Sequence, residues 1–153
     1  MGLDQYINRK SYIQNWSFDK ENKYEVVVTN NGQPTHIKKD KVTYVTEELG
    51  YFRKFNALHN WFVQLADGRD ECQEIIFYEE NVDNLLLTMK EVLISKREDI
   101  ALEMFPPVSG FFFGSIQIDE WYWNDLESAI KLFQEIKDEW VDGRTTYYYQ
   151  ASW

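Results

Sequence analysis

The chain has 153 residues, a formal charge of −10 from 16 Lys+Arg against 26 Asp+Glu, and 17% aromatic residues. Packed rings bury on the order of 150–250 Å² each, which excludes a disordered chain, and the length fits one domain over residues 1–153. The excess acid repels phosphate backbones and excludes a general DNA- or RNA-coating protein, so any anionic ligand requires a local basic site.

The chain opens Met1-Gly2-Leu3-Asp4-Gln5-Tyr6, without the basic and apolar regions of a signal peptide. No apolar run approaches the ~20 residues of a bilayer span, so no membrane partner is expected and the expected location is the cytoplasm. Tyr24 to Thr29 is rich in β-formers and runs into the turn signal Asn30-Asn31-Gly32; Lys41 to Val45 follows with alternating character. Together they predict a hairpin with a long loop. Thr46-Glu47-Glu48 offers a helix start, and Tyr51, Phe55, Leu58, Phe62 and Leu65 place one apolar face on a helix over 51–65 that ends at Asp67-Gly68.

Cys72 is the single cysteine, which rules out an intramolecular disulfide, and no Cys/His spacing suits zinc. No metal and no cofactor are expected. Glu74 to Tyr78 reads as a strand, and Val82, Leu85, Leu86, Met89, Val92 and Leu93 as the buried stripe of a second helix closed off by Pro106-Pro107. Phe111-Phe112-Phe113, between Gly110 and Gly114, suits a short buried strand. A third helix is predicted from Asn124, with Glu127 completing a capping box and Leu126, Ile130, Phe133 and Ile136 facing the core. Gly143 then releases the chain into a Tyr-rich final strand, Thr145 to Trp153, with alternate rings packed into the core or against a second subunit. The sum is an α+β fold, a mixed or antiparallel sheet packed by about three helices.

On the helix predicted over 51–65, Arg53, Asn56, Asn60 and Gln64 form one polar row, with His59 at its edge and Lys54 on the opposite flank. An arginine with two amides can grip a phosphate, a carboxylate or a nucleobase edge, although a solvated helix face has the same composition. His59 has the basicity of a general base, yet no motif pairs it with a nucleophile, and no catalytic residue is assigned. Gly114-Ser115 could bring backbone N–H groups to an anion, and Asp119-Glu120-Trp121-Tyr122-Trp123 sets acids beside rings at a strand-to-helix junction. The candidate ligand-binding residues are therefore Arg53, Asn56, His59, Asn60, Ser115, Asp119 and Trp121.

The blocks Gly50-Tyr51-Phe52-Arg53-Lys54-Phe55-Asn56, His59-Asn60-Trp61-Phe62, Gly110 to Ser115, Asp119 to Tyr122 and Tyr148 to Trp153 together resemble a family of small proteins of tailed bacteriophages and prophages that has no assigned function. The resemblance implies a phage accessory protein in the host cytoplasm, a setting in which counter-defence proteins are common. Three readings stay open at the level of sequence. The first is a non-enzymatic binder of a small anionic or nucleotide-like ligand, acting as a sponge, in monomeric or homo-oligomeric form. The second is an acidic inhibitor of a host protein, and the third a small nucleotide hydrolase using His59.

Overall fold

The computed structural model describes residues 2–153; Met1 of the opening block lies outside the described residues. In chain order the elements are β1 (Asp4–Tyr12), β2 (Thr29–Asn30), β3 (Gln33–Pro34), β4 (Tyr44–Arg53), α1 (Asn56–Leu65), β5 (Ile75–Phe77), α2 (Glu79–Ser95), α3 (Glu98–Met104), α4 (Glu120–Asp138) and β6 (Thr145–Ser152). Strands β4, β1, β6 and β5, in that order, make one fully antiparallel sheet, and β2 and β3 form a separate two-stranded ribbon. The architecture is α+β.

The sheet buries Leu3, Ile7, Phe52, Ile75, Phe77, Tyr147, Tyr149 and Ala151 against the helices. Alternation along β6 puts Tyr147, Tyr149 and Ala151 inside, as its sequence pattern requires. The Tyr149 ring stacks on Phe62 of α1 at 4.2 Å and 3°, locking the last strand to the first helix. On α2 the predicted stripe is realised: Val82, Leu85, Leu86, Met89 and Val92 are buried and Leu93 packs at its margin. On α4, Leu126, Phe133 and Ile136 are buried, joined by Tyr122 and Ala129, while Ile130 is half-buried. Among the described residues no helix is long and apolar enough to cross a membrane.

Several sequence expectations are corrected. Residues 46–53 are not the start of a helix; they complete β4, which pairs with β1 from Asp4↔Arg53 to Tyr12↔Tyr44, and α1 begins only at Asn56. A bulge opposite Ile7/Asn8 absorbs Leu49, and α4 packs so closely on Gly50 that a Cβ there would overlap Leu132. Strand β1 itself is invisible to a hydrophobicity pattern because Asp4, Asn8, Arg9, Lys10 and Ser11 lie along it. The long hairpin shrinks to β2–β3, closed by Asn31 (φ 48°) and Gly32 (φ 76°), both left-handed as a type I′ turn demands. Residues 24–28 find no sheet partner, and all but Val26 are exposed. This segment is fastened to the sheet by Arg144, whose guanidinium lies 5.0, 4.5 and 5.3 Å from the rings of Tyr12, Trp16 and Tyr24.

Phe111 to Phe113 are not a strand. The Phe113 N–H closes a turn onto the Gly110 carbonyl at 3.2 Å, with Phe113 buried and Phe111 92% exposed. The last helix starts four residues earlier than predicted, at Glu120. Asp119 rather than Asn124 caps it, its Oδ1 accepting from the Tyr122 N–H at 3.1 Å. The short helix α3 was not expected.

Candidate functional site

Two polar clusters flank the start of α1, and they differ in how completely their hydrogen bonds are met. The first is buried. Gln5 accepts from the Phe55 N–H at 2.8 Å and donates to the Phe55 carbonyl at 3.0 Å and the Tyr149 hydroxyl at 3.2 Å, so its amide orientation is fixed. His59 Nε2 lies 3.1 Å from both oxygens of Asp70, a carboxylate that can only accept, so Nε2 carries a proton; in the neutral ring Nδ1 then accepts from the Tyr149 hydroxyl, 2.7 Å away. Burial raises the Tyr149 pKa well above that of a free phenol. His59, 2% exposed, is also ringed by Phe113 and Trp153. Both ring nitrogens are engaged and water is excluded, so His59 braces the C-terminal strand instead of presenting a base.

Asn56 of α1 is met as completely, and Asn60 in part. Asn56 Nδ2 donates to the carbonyls of Phe113 and Ser115, each at 2.9 Å, and its Oδ1 accepts from the Val108 N–H at 3.1 Å. Asn60 donates to the Pro106 carbonyl at 3.2 Å and the Tyr122 hydroxyl to the Phe105 carbonyl at 2.8 Å. These bonds rivet the 105–118 loop onto α1 and α4. The polar row read along one helix face is thus not a row: Arg53 ends a strand, Asn56 and Asn60 hold a loop, and Gln64 is exposed.

The second cluster is open. A cleft of about 580 Å³ lies between the β4–α1 turn, the riveted loop and the first turns of α4. Arg53, Asn56, Ser115, Asp119 and Trp121 line it, together with Tyr51, Lys54, Gly114, Gln117 and Asp125; His59 and Asn60 do not. Its size falls in the range of small-molecule sites, roughly 300–1,000 Å³.

The turn that forms its floor is strained. Lys54 is left-handed (φ 60°), a conformation that costs a non-glycine residue about 1–2 kcal/mol. It abuts Gly114, also left-handed (φ 87°), where a Cβ would sit 3.1 Å from Lys54 Cβ. The two cationic side chains converge on Gly2: a Cβ there would lie 3.2 Å from Lys54 Cε and 3.5 Å from Arg53 Nε. Among the described residues Arg53 pairs only with Asp4, at 3.8 Å, and Asp4 is shared with the Tyr51 hydroxyl. That bond pushes the Tyr51 pKa up. Among the described residues Lys54 forms no ion pair.

Across the cleft, Asp119 is committed through Oδ1 to its helix cap. Asp125 is half-buried and, among the described residues, its carboxylate has no hydrogen-bond or ion-pair partner; Ser128, one turn on, spends its hydroxyl on the Asn124 carbonyl at 3.0 Å. Burial, then the charge of Asp119, raises the Asp125 pKa. Trp121 stands at the rim, 77% exposed. The Ser115 hydroxyl accepts from the Gln117 N–H at 3.1 Å and keeps its own proton to donate. Chemically the site offers two cations, a hydroxyl donor, a free carboxylate and a ring for stacking. Sequence reasoning left Lys54 on the wrong flank and passed over Asp125. With the helix start placed at Glu120 instead of Asn124, Asp125 falls within the first two turns beside Asp119, and the signal is then present.

Comparison with known protein families, curated proteins and solved structures gives no match.

Proposed function

We propose that the cleft binds a small anionic, ring-bearing ligand of the nucleotide type without transforming it. The observation that carries this reading is the convergence of Arg53 and Lys54, on a strained turn in an acidic chain, without a full counter-charge. Two neighbouring cations repel each other, and a phosphate or carboxylate between them turns that repulsion into charge-assisted bonding. The exposed Trp121 ring gives a base a stacking surface, and the Ser115 hydroxyl adds a donor. The hydrolase reading has no support in this site, because His59 lies outside the cleft with both nitrogens occupied. The resemblance of the sequence blocks to small phage proteins favours a counter-defence sponge that sequesters a nucleotide signal.

The test is a melting-temperature series with nucleoside mono-, di- and cyclic phosphates. A ligand present at 100 times its Kd stabilises the fold by roughly 2.7 kcal/mol, and the Arg53→Ala variant should lose most of that shift. No response to any anion in the series would refute the reading.

A second reading rests on Phe111, Ile116 and Trp121, which are 92%, 53% and 77% exposed. Exposed apolar side chains mark surfaces that partners cover, and Trp is among the residues enriched at interface hot spots. Capture of a host protein that survives saturation of the cleft with nucleotide would favour it.

A further inference from the structure

The cleft is not simply basic, and its second wall constrains what can enter. A pure anion such as phosphate would be drawn to Arg53 and Lys54 but would leave Asp125 facing it without a donor, half-buried and beside Asp119. A ligand that covers such a carboxylate takes it out of water and must bring donors of its own. Among the described residues no group fills this role: Asp119 caps α4, Ser128 bonds the helix backbone, and the Tyr122 hydroxyl bonds the Phe105 carbonyl.

We propose that the ligand presents two adjacent hydrogen-bond donors to the Asp125 carboxylate while its anionic group lies at Arg53 and Lys54. A carboxylate accepts two parallel bonds from such a pair, as it does from an arginine fork. On a nucleotide two groups have this chemistry: the N1–H and 2-amino edge of guanine, and the vicinal 2′,3′-hydroxyls of ribose. Trp121, exposed on the same cleft, offers the base a stacking surface. The inference rests on the nucleotide-type reading of the cleft and adds a recognition rule to it.

Calorimetric titration of the full chain with GMP, IMP and 2′-deoxy-GMP separates the cases. If the guanine edge is read, IMP, which lacks the 2-amino group, binds about tenfold or more weakly than GMP, since a charged bond is lost. If the diol is read, GMP and IMP bind alike and 2′-deoxy-GMP is the weak one. Asp125→Asn should erase whichever preference the native protein shows. On the guanine arm it should also transfer preference to XMP, whose 2-oxo group accepts from the new amide, a reversal that a merely structural role would not produce. Equal binding of all three nucleotides, or an unchanged ranking in Asp125→Asn, overturns the inference while leaving an anion site standing. Absence of binding by all three, alongside binding of other nucleotides, also overturns it; absence of binding by any nucleotide removes the underlying reading as well.

Discussion

The two polar clusters beside α1 use the same kinds of side chain to opposite ends. Around Gln5, Asn56, His59 and Tyr149 every buried donor and acceptor has a partner, and the residues joined are far apart in sequence: Gln5 to Phe55, His59 to Tyr149, Asn56 to Val108, Phe113 and Ser115. In the cleft, Arg53, Lys54 and Asp125 are left with poor partners or none, on a left-handed turn and an acid-crowded helix start. Satisfied polar networks hold a fold together, whereas unmet polar groups in a concave site are what a ligand can complete. The contrast assigns structure to one cluster and binding to the other.

The largest effect should come from the closed cluster. Deleting residues 149–153 removes the Tyr149 hydroxyl, its stack on Phe62 and half of an inner strand. That loss should exceed a typical stability of about 5–15 kcal/mol, so circular dichroism should show an unfolded chain. A cooperative melt in the truncated protein would break the comparison.

Asn56→Ala comes next. It strips three bonds at once and strands two loop carbonyls and an N–H, at about 3 kcal/mol read by urea denaturation. A change below about 1 kcal/mol would show that the loop is held by other means. Because this loop is a wall of the cleft, affinity should fall with stability, unlike a substitution that touches only ligand.

Asp125→Asn should move stability the other way, and by less. The Asp125 pKa is raised in the folded protein above its usual value of 3.8. A carboxyl of this kind contributes its full stability below the unfolded pKa and loses it as pH rises through the folded one. The native protein is therefore penalised at neutral pH, and the variant should melt higher than wild type at pH 7, with the gap closing as pH falls below 3.8. An equal gap at both pH values would remove the electrostatic account.

The smallest stability effect is expected at the strained turn. Lys54→Gly relieves the left-handed conformation and should stabilise by no more than about 1 kcal/mol, while removing one of the two cations from the cleft. A marked destabilisation would make Lys54 part of the scaffold.

How far the sequence foretold this division depends on the range of the interactions. The stripe of α2 and the alternation of β6 are local periodicities, and both are realised. The boundary between β4 and α1 is not local: Tyr51 to Leu65 carries a helical apolar spacing, but pairing with β1 claims residues 44–53 first. Strand β1 hides because its buried members include Gln5, whose partners lie fifty residues on. At the site, Arg53, Asn56, Ser115, Asp119 and Trp121 do meet on one cleft, for reasons of tertiary folding and not of a shared helix face. His59 and Asn60 point elsewhere because their hydrogen-bond partners, Tyr149, Asp70 and Pro106, are supplied by other parts of the chain.

The central claim is that Arg53 and Lys54 are held open for an anionic ligand. Calorimetric titration of GMP into the wild type and into the Arg53→Ala/Lys54→Ala double variant tests it most directly, with each protein's melting temperature recorded beside its affinity. Arg53 is exposed and its pair with Asp4 is long, so the double variant should melt within a few degrees of wild type. Its affinity should fall by about a hundredfold, the loss of two charge-assisted contacts. Equal affinity in the two proteins, or failure of the wild type to bind, would contradict the account.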